Sequence, residues 1–218
     1  GRTEQINMYK KAQKNTYEKP IFILGCQRSG TTLLRLILNA HSRITIPEDA
    51  SFLTPLLKKE NLYNKITGES LENLVKYLEA NPHFKLWNYD YTNFISGLRQ
   101  EREISLKDLL VRMYSSYCES FNKVVWGDKT PSFFRKIDIL FSLFPDARFI
   151  HIVRDGRDVF DSWRKITPSM KYVSVTALDW SYKLFRIEKS LKNIPAKNKL
   201  TIRYEDLLEK PEETVRTI

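Results

Sequence analysis

A loop near the start of the chain combines residue types that hold an anion. Four residues separate Gly25 from Gly30 in the stretch "GCQRSGTT", and Thr31 and Thr32 follow directly. Backbone N–H groups in such a loop can turn inward around a phosphate, and a helix N-terminus adds partial positive charge. The Walker A pattern of ATPases has a lysine after the second glycine, where this chain has Thr31. The pattern therefore predicts an anion-binding loop that differs from that of an ATPase.

The loop also carries its own side-chain donors. Arg28 offers a planar guanidinium suited to oxyanions, and Ser29 offers a hydroxyl. An ordinary strand-to-helix turn could share the two glycines, but the run Arg-Ser-Gly-Thr-Thr favours an anion site. No carboxylate of the Walker B type is evident after a second strand, because Asp155 stands only after an arginine. These features disfavour a magnesium-dependent phosphoryl transferase.

A second stretch, "FIHIVRDGRDVFDSW", repeats the arrangement of strand, turn and helix. Arg154 ends the predicted strand, and Ser162 lies in the following helix. Both side chains can approach one phosphate near that turn, although each alone would pass for a surface arginine and a packing serine. Two such sites on adjacent parallel strands open on the same edge of the sheet. They suit one ligand that has two separated phosphate groups.

Short β-rich apolar runs alternate with helical patterns along most of the chain. The predicted strands are "PIFILG", residues 43–46, "KVVWGD", "ARFIHIVR" and "KLTIRYED". Alternation of this kind predicts an α/β fold in three layers, with a parallel β-sheet flanked by helices.

The composition predicts one domain over residues 1–218, since 42% of the chain is hydrophobic and one sizeable core can form. Residues 1–19 are polar and basic and are interpreted as an arm. Residues 54–121 are mostly helical in pattern and are expected to shape a binding pocket. The chain stops inside a helical pattern, so we expect it to continue in a longer protein. No apolar run approaches the ~20 residues of a transmembrane segment.

The net charge of +10 favours an anionic partner. Zinc-ligand spacings and RNA-binding aromatic signatures are missing from the sequence, so nucleic acid is not expected as a partner. Two cysteines, Cys26 and Cys118, make no disulfide framework and suit a reducing compartment, from which we expect a cytoplasmic location.

The stretches "QRSGTTLLRLILNAHS" and "RFIHIVRDGRDVFDS" together resemble the sulfotransferases that use 3′-phosphoadenosine 5′-phosphosulfate (PAPS). The similarity extends over residues 20–215 and is strongest to the branch of tyrosylprotein sulfotransferases and their bacterial relatives. It implies a P-loop-like fold, PAPS as donor, 3′-phosphoadenosine 5′-phosphate (PAP) as product, and no metal. It assigns the 5′-phosphosulfate to Arg28, Ser29, Gly30, Thr31 and Thr32. It assigns the 3′-phosphate to Arg154 and Ser162.

Sulfuryl transfer to a hydroxyl needs a base for the acceptor proton and cations for the leaving phosphate. The base candidates are Glu48 and Asp49. Ungapped alignment from the loop places Asp49 at the catalytic glutamate of the related branch, whereas the shape "PE" before "SFL" and the side-chain length favour Glu48. The other member of the pair would cap the following helix. The resemblance makes Lys129 the lysine that bridges sulfate and leaving oxygen, and places Tyr204 near the adenosine.

Several further side chains have competing interpretations. Arg157 could reach the 3′-phosphate, but a pair with Asp161 one turn on is favoured. Of the three histidines, His41 and His151 are interpreted as structural, and His83 is a remote candidate for the base.

The acceptor is a hydroxyl compound whose class the sequence leaves open: protein tyrosine, glycan, lipid or small metabolite. Its pocket is expected within residues 54–121. The aromatic residues of this region could line the pocket, although core packing is favoured for them: Trp87, Tyr89, Tyr91 and Phe94. Two rival functions are a nucleotide kinase with a degenerate P-loop and a non-catalytic module that binds nucleotide or acidic glycan.

Overall fold

The computed structural model describes residues 19–218, and five of the strands in this range form one parallel sheet. The strands in chain order are β1 (Ile21–Leu24), β2 (Ile44–Thr45), β3 (Lys65–Thr67), β4 (Glu103–Ser105), β5 (Val125–Asp128), β6 (Arg148–Val153) and β7 (Lys199–Arg203). The large sheet has the order β2-β5-β1-β6-β7, and β3 and β4 form a separate antiparallel pair. Strand β1 therefore lies at the centre, between β5 and β6.

Ten α-helices connect and cover the strands in the described range. They are α1 (Thr31–Asn39), α2 (Gly68–Ala80), α3 (Pro82–Lys85), α4 (Thr92–Gln100), α5 (Leu106–Ser120), α6 (Ile137–Leu143), α7 (Gly156–Arg164), α8 (Val173–Leu191), α9 (Tyr204–Glu209) and α10 (Pro211–Arg216).

Side chains that alternate along the central strands build a core on each face of the sheet. Phe22 and Phe149 belong to the larger core, which α5, α6 and much of residues 54–121 cover. Ile23 and Ile150 belong to the smaller core, which α1 and α9 cover. A parallel sheet that is covered on both faces has apolar side chains on both, which explains why β1 is buried along its whole length. The predicted three-layer α/β fold is confirmed.

The structure differs from the predicted elements at two places. The strand predicted over residues 43–46 is shorter, at Ile44–Thr45, because Pro47 follows and cannot donate to a ladder. Residues 54–121 contain α2 to α5 as expected, together with the β3–β4 pair, which the helical pattern did not indicate. The predicted arm at residues 1–19 lies outside the described residues except for Lys19. Within residues 19–218, no helix has the length and apolar character needed to cross a bilayer.

Candidate functional site

The loop between β1 and α1 has the backbone of an anion cradle. Gly30 has a φ of 88°, and Arg28, with a φ of 69°, is also in the left-handed region. The N–H of Ser29 donates to the carbonyl of Cys26 at 3.2 Å and closes the turn. A left-handed conformation is costly for a side-chain-bearing residue such as Arg28, and such strain is concentrated at functional sites.

Glycine is required at position 30 because of a closely packed neighbour as well as the positive φ. A Cβ atom at this position would lie 2.2 Å from Cδ2 of Tyr204, the first residue of α9. The Tyr204 ring also faces the guanidinium of Arg154, whose Cζ is 4.5 Å from the ring centroid. Tyr204 thus lies between the loop after β1 and the residue that follows β6.

The two predicted phosphate-binding stretches meet at the carboxyl edge of the sheet. Arg28 donates from Nε to Ser162 Oγ at 2.8 Å, and Arg154 donates from Nη1 to the carbonyl of Arg28 at 2.9 Å. Strands β1 and β6 are hydrogen-bonded neighbours, which brings their following loops together. The structure therefore places Arg28, Arg154 and Ser162 in one cluster, as the sequence predicted from two separate stretches.

Two buried polar atoms in this cluster have no hydrogen-bond partner. They are Oγ of Ser29, a residue only 1% exposed, and Nε of Arg154. An unpaired buried donor costs free energy, and unpaired donors beside an arginine cluster fit a bound oxyanion. Thr31 and Thr32 begin α1 at the same place, with Thr31 half-buried and Thr32 exposed. This donor set matches the chemistry of phosphate and sulfate groups.

Helix α8 supports the loop from behind. Lys183 is buried and donates both to Oε1 of Gln27 and, at 2.6 Å, to Oδ2 of Asp179. Trp180 on the same helix donates from Nε1 to the carbonyl of Arg154 at 3.2 Å. Burial raises the pKa of the Cys26 thiol to about 11, so this loop cysteine stays protonated at neutral pH. Helix α8 therefore anchors both of the stretches predicted to bind phosphate, a role that the sequence did not reveal.

The acidic pair lies in the segment after β2, and its two members have different partners. Glu48 accepts from Nη2 of Arg35 at 2.6 Å, and its side chain is 49% exposed. Asp49 is half-buried and accepts the N–H of Ser51 at 2.7 Å through Oδ1. Asn39, at the end of α1, exchanges two hydrogen bonds with the backbone of Ile46, at 2.7 and 2.9 Å. Helix α1, which begins directly after Gly30 of the loop, thus holds this segment through Arg35 and Asn39.

A buried aspartate that the sequence analysis missed ends β5 next to the acidic pair. Asp128 is 1% exposed and accepts from the hydroxyl of Tyr114 at 2.6 Å. Burial, with a smaller contribution from the charge of Asp49, raises the pKa of Asp128 to about 6, against the opposing hydrogen bonds of Tyr114 and Thr130. An acid that ends the strand "KVVWGD", next to β1, was visible in the sequence. The prediction that no carboxylate of the Walker B type follows a second strand did not consider Asp128, which is enclosed by protein and bonded by Tyr114.

Lys129 follows Asp128. It lines a small cleft together with Phe134 and with Gly25, Gln27 and Thr31 of the loop between β1 and α1. A larger cavity of about 580 Å³ lies between α2 and α4, away from all the predicted site residues. We place the candidate site at the loop between β1 and α1. The cluster of Arg28, Arg154 and Ser162 forms there, and Gly25 and Thr31 of the same loop line the small cleft together with Lys129.

The predicted pair between Arg157 and Asp161 was wrong. Arg157 pairs with Asp155 at 2.7 Å and not with Asp161, which pairs with Arg164 and Lys165. The reason is that the Asp155 side chain also accepts the backbone N–H of Arg157, and these bonds lower the pKa of Asp155 to about 2.

The histidines and aromatic residues lie mostly where they were expected. His151 is buried in β6, and burial lowers its pKa to about 4, so it is neutral at pH 7. His83 lies exposed in α3. The four aromatic residues considered for an acceptor pocket all pack in or against the larger core: Trp87, Tyr89, Tyr91 and Phe94. Among residues 19–218, no three His, Cys, Asp or Glu side chains gather in a way suited to a metal ion.

Curated relatives of this chain include protein-tyrosine sulfotransferases. The Drosophila melanogaster enzyme is 25% identical over 211 residues, which are 91% of this chain and 36% of that protein. Protein-tyrosine sulfotransferase A of Caenorhabditis elegans is 26% identical over 210 residues, 91% of this chain and 48% of that protein. The chain thus spans between about a third and a half of the length of these relatives.

Solved structures with a similar fold include two sulfotransferase domains. One belongs to the curacin biosynthetic pathway, with a TM-score of 0.61, 22% identity and coverage of 91% of this chain and 71% of that one. The other belongs to the olefin synthase of Synechococcus PCC 7002, with a TM-score of 0.60, 22% identity and coverage of 91% and 72%. The sequence profile of the sulfotransferase family matches residues 20–218. The chain belongs to the sulfotransferase family.

Proposed function

We propose that this chain transfers the sulfuryl group of PAPS to a hydroxyl acceptor. The observation that carries the proposal is the convergence of Arg28, Arg154 and Ser162 at one edge of the sheet. A ligand with phosphate groups at both the 5′ and 3′ positions of adenosine would contact both stretches at once. A nucleotide with phosphate at the 5′ position alone would engage only one of them.

The donor would lie across the loop between β1 and α1. Its 5′-phosphosulfate would take hydrogen bonds from Ser29, Thr31 and the backbone N–H groups of the loop, and its 3′-phosphate from Arg154 and Ser162. Arg28 contacts Ser162 and lies inside the loop, so it can serve either group. Tyr204, which stacks on Arg154 above Gly30, would border the adenosine.

Asp49 is the member of the acidic pair that the geometry favours as base. The carboxylate of Glu48 is paired with Arg35, and more distant interactions connect Glu48 to Tyr117. The charge of Asp49 instead raises the pKa values of Tyr114 and of Asp128, and Asp128 ends the strand that directly precedes Lys129. Asp49 Oδ1 accepts a hydrogen bond from the N–H of Ser51, which leaves Oδ2 to take the acceptor proton.

The bonds formed and broken in this reaction balance without an added reactant. The acceptor oxygen forms the new bond to sulfur, and the bond between sulfur and the phosphate oxygen breaks. The acceptor proton goes to Asp49, while Lys129 faces the charge that develops on the leaving phosphate. Lys129 lines the same cleft as Gly25 and Thr31, which is where that phosphate would lie.

Protein tyrosine is the first acceptor to test, because the curated relatives named above are protein-tyrosine sulfotransferases. Glycans, lipids and small alcohols or phenols form the rest of the panel. Labelled PAPS with this panel would identify the acceptor. Transfer of phosphate from magnesium-ATP would favour a kinase instead, and tight PAP binding without transfer to any acceptor would favour a non-catalytic module.

Ligand-dependent melting tests the donor site directly. We expect PAP to raise the melting temperature and AMP to raise it much less, because AMP lacks the 3′-phosphate. Ser162→Ala should remove most of the difference between the two ligands. Ser142→Ala, which deletes an exposed helical serine that donates to Asp138, is the control and should preserve it. Equal stabilisation of the unaltered protein by PAP and AMP would contradict a 3′-phosphate site.

A further inference from the structure

One hydrogen bond joins the acidic segment, which is the stretch after β2 that carries Glu48 and Asp49, to the loop that carries Lys129. The backbone N–H of Ala50 donates to Oγ1 of Thr130 at 2.8 Å, across 80 residues of sequence. Both residues are buried, Ala50 completely and Thr130 to within 3%. The bond lies one residue from Asp49 and one residue from Lys129. It therefore connects the two groups that the proposed reaction needs on opposite sides of the transferred group.

The other two anchors of the acidic segment come from a different direction. Asn39 holds Ile46, and Arg35 holds Glu48, and both of these side chains project from α1. Helix α1 begins at the donor loop, so these bonds set the position of the acidic segment relative to that loop. The Ala50–Thr130 bond instead ties the residue next to Asp49 to the segment that follows β5.

The end of β5, directly before Thr130, is tightly packed. Asp128 accepts a hydrogen bond from Tyr114, whose ring stacks on Trp126 with 4.1 Å between centroids and 14° between planes. Gly127 packs so closely that an added Cβ would lie 2.7 Å from the carbonyl oxygen of Ile21 and 2.9 Å from the Ile46 side chain. The end of β5 therefore has little room to shift.

We propose that Thr130, supported by Asp128, is a positioning residue that sets the place of Asp49 relative to Lys129. This inference rests on the proposed function, because it takes Asp49 as the base. Its physical basis is that a misplacement of about 1 Å can cost about 10²-fold in rate even when all reacting groups are present. A residue that only stabilised the fold would change the melting temperature and leave the turnover of the folded protein unchanged.

The test compares Thr130→Val with Thr130→Ser. Valine keeps the shape and removes the acceptor for the Ala50 N–H, whereas serine keeps the hydroxyl. For Thr130→Val we expect turnover to fall about 10- to 100-fold, the KM for PAPS to stay unchanged and hydrogen exchange at the Ala50 amide to accelerate. Thr130→Ser should restore both turnover and slow exchange.

Thr54→Val is the matched control. Thr54 and Ser132 share a 2.8 Å hydrogen bond that joins the same two regions of the chain, farther from Asp49. This variant should lose some stability and keep its turnover. An equal loss of turnover in Thr54→Val and Thr130→Val would overturn the proposal, since any contact between the two regions would then suffice.

The exchange measurement separates this inference from the proposed function. An unaltered protein that transfers no sulfuryl group would contradict the function, but Ala50 exchange would still report whether Thr130 holds the segment. Unchanged exchange at Ala50 in Thr130→Val would overturn the inference whatever the activity. If Thr130→Val does not fold, Asp128→Asn replaces it, with the same expected loss of turnover at constant KM for PAPS.

Discussion

At the scale of single residues, Glu48 and Asp49 are adjacent in sequence and have different electrostatic surroundings. Glu48 forms an ion pair with Arg35, whereas the charge of Asp49 raises the pKa of Asp128 at the buried end of β5. We predict that Asp49→Asn lowers turnover by about 10²- to 10⁴-fold, the usual contribution of a positioned general base. Donor affinity should change little, because the substitution removes a proton acceptor and no phosphate ligand. Steady-state kinetics with PAPS as the varied substrate measures both quantities.

Glu48→Gln is the comparison variant for this prediction. The amide oxygen of glutamine can still accept from Arg35, so turnover should fall less than 10-fold while the melting temperature decreases modestly. An inactive Glu48→Gln together with an active Asp49→Asn would reverse the assignment. If both variants stay active, neither acid is the base, and His83 is the next residue to test.

The burial of Asp128 predicts a pH dependence of stability. Its pKa is about 6 in the folded protein, because burial and the charge of Asp49 outweigh the bonds from Tyr114 and Thr130, and 3.8 is its ordinary value. Between these values the folded state binds more protons than the unfolded state, so stability from this group is present below pH 3.8 and is lost as pH rises through 6. The difference of about 2 pKa units corresponds to about 3 kcal/mol.

Asp128→Asn removes this titration and provides the measurement. The free energy of unfolding of the variant, relative to the unaltered protein, should increase by up to about 3 kcal/mol from pH 4 to pH 7. Urea unfolding at four pH values gives this difference. Parallel stability curves for the two proteins over that range would show that the pKa of Asp128 is ordinary.

At the scale of elements, the proposed donor site consists of two strand-loop-helix units that contact α9 through Tyr204. Tyr204 at the start of α9 occupies the space above Gly30 that a side chain would fill. We predict that Gly30→Ala lowers the melting temperature and also weakens the stabilisation by PAP, because the methyl group displaces Tyr204 from Arg154. Melting curves with and without PAP measure both effects.

Gly68→Ala controls for backbone strain. Gly68 also has a positive φ, 50°, but a Cβ atom there would meet no heavy atom within 4 Å. It should cost about 1 to 2 kcal/mol of strain and leave the response to PAP intact. The same loss of PAP stabilisation in both variants would show that close packing at Tyr204 is unimportant.

At the scale of the whole molecule, cationic side chains and helix N-termini would supply the positive charge that the proposed doubly phosphorylated donor requires. Arg28 and Arg154 belong to one hydrogen-bonded cluster, and Lys129 lines the cleft beside Gly25 and Thr31 of the same loop. We predict that EDTA leaves sulfuryl transfer unchanged, since sulfuryl transfer in the proposed reaction needs no bridging metal. Assays with EDTA and with added magnesium test this. A strict magnesium requirement would instead support the kinase with a degenerate P-loop.

Local sequence determined the parts of this protein that depend on neighbouring residues. The apolar runs predicted four of the five parallel strands nearly in full, and the glycine and hydroxyl pattern predicted the loop between β1 and α1. Such features are readable because strand burial and loop conformation follow from residue types a few positions apart. Arg154 and Ser162 could be paired with that loop because parallel strands share one edge, and β6 lies next to β1.

Tertiary structure decided the contacts between distant segments. Three such contacts join residues that lie 14 to 156 positions apart. They are the bond from Lys183 to Gln27 in the loop between β1 and α1, the bond between Ala50 and Thr130, and the bond between Tyr114 and the buried Asp128. The different surroundings of Glu48 and Asp49 belong to the same class. A side chain's protonation and reach depend on the atoms that surround it in space, and packing alone brings those atoms together.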